Sequence, residues 1–154
     1  MSLRFDLADA EATAALGRAL APLLRAGDAV LLSGALGAGK STLARALIRA
    51  LTSPDEDVPS PTFTLVQTYD AEPPLAHFDL YRLERPEEAL EIGLVEAVED
   101  GAALIEWPER LGEDPGAWVG PDRLTVRLEA AGDARHATVS GAGDWERRIH
   151  DLRF

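Results

Sequence analysis

The sequence contains no cysteine, which excludes disulfide cross-links, thiolate zinc sites and thiol nucleophiles. Histidine is scarce: His77, His136 and His150 are the only three, and no two stand at metal-ligand spacing. A histidine-built metal centre is therefore not expected. No apolar run approaches the ~20 residues of a membrane-spanning helix. The opening Met1-Ser2-Leu3-Arg4-Phe5-Asp6 does not have the pattern of a signal peptide. A cytoplasmic protein without membrane contact is expected. Positive charge is in short supply too, with 15 Lys and Arg against 27 Asp and Glu and a formal net charge of −12. Such a surface repels phosphate backbones on average. DNA binding and extensive direct RNA contact are disfavoured, whereas a basic protein partner is compatible. Lysine itself is almost missing: Lys40 is the only one, every other basic residue being arginine.

What is present centres on that lysine. Gly34-Ala35-Leu36-Gly37-Ala38-Gly39-Lys40-Ser41-Thr42 fits G-x-x-x-x-G-K-[ST], the phosphate-binding loop of nucleotide-hydrolysing proteins. Asp28 to Ser33 before it reads as a short buried strand, and Leu43 to Leu51 after it as a helix with apolar residues at helical spacing. The chemistry accounts for each residue type. Glycines let successive N–H groups turn inward as an anion nest, and the helix that follows directs its positive end to the same point. Lys40 reaches the β- and γ-phosphates, and the Ser41 hydroxyl reaches Mg²⁺.

The 154 residues, 46% of them hydrophobic, suit one α/β domain with a sizeable core. Leu3 to Leu7 alternates as an edge strand. Asp9 caps a helix expected to run to about Ala26, with Pro22 as a kink. Thr62 to Tyr69 and Leu75 to Tyr81 are expected to form a β-hairpin. Pro86 opens a helix broken at Gly93, and a second piece follows from Leu94 to Val98. Ala102-Ala103-Leu104-Ile105 reads as a strand buried on both faces. Residues 112–122 read as loop. Leu124 to Glu129 and Arg135 to Ser140 make a second hairpin, and Trp145 to Leu152 a closing helix.

A phosphate loop needs carboxylates to hold Mg²⁺ and to orient the attacking water. Glu106 follows the apolar run 102–105. In an open parallel sheet, ligands lie off the carboxyl ends of the strands, so Glu106 is expected to face the nucleotide. Asp79, within His77-Phe78-Asp79-Leu80-Tyr81-Arg82, occupies a similar position. Ser60-Pro61-Thr62 offers a threonine on a proline-stiffened loop, placed to meet Mg²⁺ or the γ-phosphate as switch loops do. Trp107, beside Glu106, is a candidate for lining the site or a partner surface.

Together the stretches 34–42, Ser60-Pro61-Thr62-Phe63-Thr64-Leu65-Val66, 77–83 and Glu106-Trp107-Pro108-Glu109 resemble the TsaE (YjeE) family, the small ATPases of bacterial tRNA threonylcarbamoyladenosine biosynthesis. The resemblance spans about Glu11 to Ser140. It implies a three-layer α/β/α sandwich with a mostly parallel central sheet. It also implies an ATPase that is weak alone and works with TsaD and TsaB, which handle the tRNA. In family terms Ser41 and Glu106 ligate Mg²⁺, Asp79 orients water or the metal's hydration shell, and Ser60 to Phe63 is a switch-like loop. Thr13 and Arg135 match positions flanking the adenine. Two departures stand out: Ala35 replaces a usual acid and Ser41 a usual threonine. Rival readings are a P-loop small-molecule or nucleotide kinase and a nucleotide-gated interaction protein. The first would need an arginine-rich lid, for which Tyr81 to Arg85 is the only comparable stretch.

Overall fold

The computed structural model describes residues 2–35, 37–61 and 64–154. Leu36, Thr62 and Phe63, three of the positions singled out above, lie outside them. Seven strands form one sheet: β1 (Ser2–Leu7), β2 (Ala29–Ser33), β3 (Val66–Tyr69), β4 (Leu75–Asp79), β5 (Ala102–Glu106), β6 (Arg123–Ala131) and β7 (Ala134–Ala142). The spatial order is β1-β7-β6-β2-β5-β4-β3. The inner four strands, β6, β2, β5 and β4, are mutually parallel, and antiparallel pairs close both flanks.

Helices cover both faces of this sheet. On one side α1 (Ala10–Leu20), α2 (Lys40–Leu51) and the terminal turn α6 (Trp145–Arg148) pack on Val30, Leu32, Leu104, Leu124, Val126 and Leu128. On the other, α3 (Glu88–Glu91), α4 (Leu94–Asp100) and α5 (Gly116–Val119) cover Leu31, Ala76, Phe78, Ala103 and Ile105. Alternating residues of each central strand thus go to opposite layers. That is why β5 reads as an uninterrupted apolar run: all its residues are buried.

Helix α1 meets α2 through Gly17. A Cβ there would stand 2.5 Å from the Leu43 carbonyl oxygen, so only glycine permits this approach. Asp9 caps α1 by accepting from the Ala12 N–H at 2.9 Å. A buried ion pair ties the C-terminus to the sheet's start. Arg148 Nη1 donates to Asp28 Oδ2 at 2.6 Å and also to the Leu23 carbonyl at 3.0 Å.

Several boundaries differ from those read off the sequence. Helix α1 stops at Leu20, and Ala21–Leu23 is a 3₁₀ turn. Pro22 has no N–H to continue the α-helical ladder, so the chain ends the helix rather than kinking it. Strand β3 starts only at Val66, because Leu65 has φ 68° in the left-handed region. Strand β4 ends at Asp79, two residues early; the Tyr81 N–H turns back to Asp79 Oδ1 at 3.0 Å. The stretch 112–122 contains α5, a single turn. The closing helix is one α turn followed by the 3₁₀ turn Ile149–Asp151. Among the described residues, no helix is long and apolar enough to cross a membrane.

Candidate functional site

The site forms where the chain leaves the carboxyl ends of the parallel strands. Strand β2 lies between β5 and β6, and the connections from the two sides diverge there, the usual place for a ligand crevice. Register sets the acids side by side: Leu32 pairs with Glu106, and Glu106 pairs with Asp79. Both carboxylates are last residues of their strands.

After Ser33 the backbone turns through Gly34, whose φ is 145° and where a Cβ would lie 2.5 Å from the Leu128 carbonyl oxygen. Side chains are excluded there by both conformation and space. At the other end Gly39, with φ 105°, opens α2. The first N–H bonded within that helix is Leu43's, to the Gly39 carbonyl at 3.0 Å. The N–H groups of Lys40, Ser41 and Thr42 therefore have no helical acceptor, as at any helix start, and point into the turn. This is the geometry that favours an anion.

A cavity of about 270 Å³ opens here. It is lined by Gly37, Gly39, Lys40, Ser41, Thr42 and Ser60, with Asp79, Glu106, Trp107 and Arg135 closing it. Nine of the residues expected from the sequence to form the site thus share one cavity. Ala38 is buried beside it. Gly34 lies on an adjoining cavity, on the far side of Trp107. Thr13 does not line the cavity but packs behind its wall, its methyl 3.3 Å from where a Gly39 Cβ would be. Arg135 Nη2 donates to the Gly37 carbonyl at 3.2 Å, clamping the glycine turn to β7.

Lys40 is the strained element of this arrangement. Its residue is 5% exposed, and its ammonium has no hydrogen-bond partner among the described residues. Burial pushes its pKa below the ordinary 10.5, against the opposing pull of Glu106, Glu109 and Asp79. Its ammonium stacks on an aromatic ring: Nζ lies 3.6 Å from the centroid of the Trp107 ring. Trp107 reaches that place because it adopts φ 58°, a conformation that non-glycine residues rarely take. Backbone strain of this kind, of order 1–3 kcal/mol, is concentrated at functional sites. Tyr81 packs against the indole at a centroid distance of 5.0 Å, and the Arg110 guanidinium stands 5.5 Å from the Tyr81 ring.

One residue of the site was not singled out from the sequence. His77 Nε2 lies 2.6 Å from Glu106 Oε2, with both side chains buried. An ionised carboxylate only accepts, so Nε2–H is the donor. The available signal was parity: His77 and Asp79 are two apart on one strand and therefore share a face.

The donors suit a hard cation. Ser41, Asp79 and Glu106 offer hydroxyl and carboxylate oxygens, the chemistry Mg²⁺ prefers. Among the described residues no group of three or more His, Cys, Asp or Glu converges on a metal position. The set thus fits an ion completed by phosphate oxygens and water rather than an all-protein cage. The orphaned Lys40 ammonium fits a phosphate in the same way.

Over most of its length the chain is similar to known proteins. The family model described as "Threonylcarbamoyl adenosine biosynthesis protein TsaE" matches residues 7–137. The tRNA threonylcarbamoyladenosine biosynthesis protein TsaE of Streptomyces coelicolor is 42% identical over 138 residues, 84% of this chain and 90% of its own length. That of Treponema pallidum is 40% identical over 133 residues, 85% of this chain and 95% of its own. Among solved structures, Bacillus subtilis YdiB superposes with a TM-score of 0.77 at 28% identity, covering 99% of this chain and 94% of that one.

Proposed function

Since the chain belongs to the TsaE family of threonylcarbamoyl adenosine biosynthesis proteins, we propose that it acts in tRNA modification as a Mg²⁺-dependent ATPase serving a TsaB–TsaD complex. The observation that carries this reading is the Lys40 ammonium, buried at the edge of the cavity and without a hydrogen-bond partner among the described residues. A charge kept there costs free energy until an anion meets it.

In this reading the free N–H groups of Lys40, Ser41 and Thr42, with the glycine turn, cradle the β- and γ-phosphates of ATP. Lys40 moves from the indole to the phosphate oxygens. Ser41 and Glu106 hold Mg²⁺, which when bound neutralises charge developing on the phosphates. Asp79 orients the attacking water or the ion's hydration shell. Arg135 flanks the base, and Ala38 contributes backbone to the turn. Thr62 senses the γ-phosphate. The net charge of −12 leaves tRNA to be held by the partners.

The test is ATP hydrolysis by the purified protein, with and without TsaB–TsaD. Stimulation by the partners is expected, and an unchanged rate would sink the coupling. Lys40→Ala should weaken nucleotide binding by roughly ten- to a hundredfold, the loss of one or two charge-assisted hydrogen bonds.

A further inference from the structure

His77 stands out among the groups that the proposed chemistry leaves unused. It is 3% exposed and sits on the α2-facing side of β4, flanked along that face by Leu75 and by Leu104 on the next strand. Its Nδ1 is buried and has no hydrogen-bond partner among the described residues. Burying that nitrogen unsatisfied costs free energy, which the other nitrogen's hydrogen bond offsets only in part. That nitrogen, Nε2, is 2.6 Å from Glu106 Oε2.

Glu106 needs such a partner. It is the last residue of β5, and its flexible side chain must cross from the strand end into the phosphate cavity. Engaging Oε2 leaves Oε1 as the oxygen to be presented to a ligand. His77 and Glu106 also border a small void of about 40 Å³ with Ser41, Ala44, Val58 and Ser60. The pair therefore sits between the first turn of α2 and the loop leading to Thr62. Partners that orient a ligating carboxylate typically change metal affinity or activity by ten- to a hundredfold when removed.

We propose that His77 is a positioning residue: its Nε2–H fixes the Glu106 carboxylate so that the free oxygen faces the Mg²⁺–nucleotide position. This rests on the ATPase reading given above. The effect passes through Glu106 alone, so it is confined to what Mg²⁺ adds to nucleotide binding.

The experiment is calorimetric titration of the full-length protein with ADP, with Mg²⁺ and with EDTA. The wild type, His77→Leu, His77→Gln, Glu106→Ala and the double variant His77→Leu/Glu106→Ala are compared. His77→Leu is expected to leave ADP affinity in EDTA unchanged and to reduce the gain on adding Mg²⁺ by about ten- to a hundredfold. His77→Gln, whose amide N–H reaches the Nε2 position, should restore most of that gain. In the Glu106→Ala background His77→Leu should add no further loss. A merely structural role would weaken binding in EDTA as well, escape rescue by Gln, and add to Glu106→Ala; any of these overturns the proposal. His77→Phe replaces His77→Leu if the latter gives no cooperative thermal transition. If the wild type shows no Mg²⁺-dependent gain, the ATPase reading falls and this proposal with it. If the wild type shows the gain and His77→Leu keeps it, only the positioning role falls.

Discussion

The Lys40 ammonium rests 3.6 Å from the centroid of the Trp107 ring, and among the described residues no oxygen accepts from it. A cation–π contact of this kind is worth about 0.5–2 kcal/mol, less than the charge-assisted hydrogen bonds that phosphate oxygens offer. Nucleotide binding should therefore lift Lys40 from the indole and change its emission. Titration with ADP or a non-hydrolysable ATP analogue is expected to give a saturable change in tryptophan fluorescence. Trp107→Phe should abolish that change while calorimetry still detects binding, since Trp118 and Trp145 remain. Persistence of the signal in Trp107→Phe would place the reporter elsewhere.

Lys40 also carries a stability cost. Burial makes its charged form less favourable in the folded than in the unfolded chain, lowering its pKa from 10.5. The cost is complete below the folded-state pKa and is relieved as pH rises through it. Lys40→Met keeps the stem against Trp107 and removes the charge. At neutral pH this variant should be at least as stable as the wild type by thermal denaturation, and unable to bind nucleotide tightly. Its advantage should shrink as pH is raised toward 10. A clear fall in Tm at pH 7 would contradict this.

Gly17 gives a test with two opposed effects. Helix propensity alone predicts that Gly17→Ala stabilises by about 1 kcal/mol. The contact at 2.5 Å between a Cβ there and the Leu43 carbonyl predicts the reverse. Overpacking of this kind typically costs about 1–3 kcal/mol, so urea denaturation should show net destabilisation. Because α2 begins at the phosphate cavity, ADP affinity should fall as well.

Arg148 and Asp28 form a second buried pair, distant from the cavity. Removing only the guanidinium strands a carboxylate that is 1% exposed. Arg148→Leu should therefore cost about 3–5 kcal/mol. The double variant Arg148→Leu/Asp28→Asn should cost less than the sum of the two single variants. Additivity in a double-mutant cycle would show that the pair is not coupled.

These sites were unequally legible in the sequence. The phosphate turn, the buried strand 102–106 and the placement of Glu106 at its end follow from local spacing and the period of two along a strand, whereas Asp79 became a strand end only because the chain turns back at Tyr81. Relationships that depend on a backbone torsion do not. Trp107 meets Lys40 only because of its φ of 58°, and β3 is shortened by the φ of 68° at Leu65. A non-glycine residue in that region has no sequence signature. Spacing does not single out His77: parity says that it shares a face with Asp79, but not what lies on that face. Its partner is 29 residues away, on the neighbouring strand. The early end of α1 comes from Pro22 acting as a stop, where the apolar spacing continues past it.

Counting modified tRNAs per TsaB–TsaD complex in the presence of a Glu106→Gln variant and excess ATP tests the central claim most directly. The account predicts that this variant binds ATP but supports no more than about one round per complex, whereas the wild type supports many. Sustained modification with Glu106→Gln at the wild-type rate, with hydrolysis absent, would contradict it and leave nucleotide binding alone as the signal.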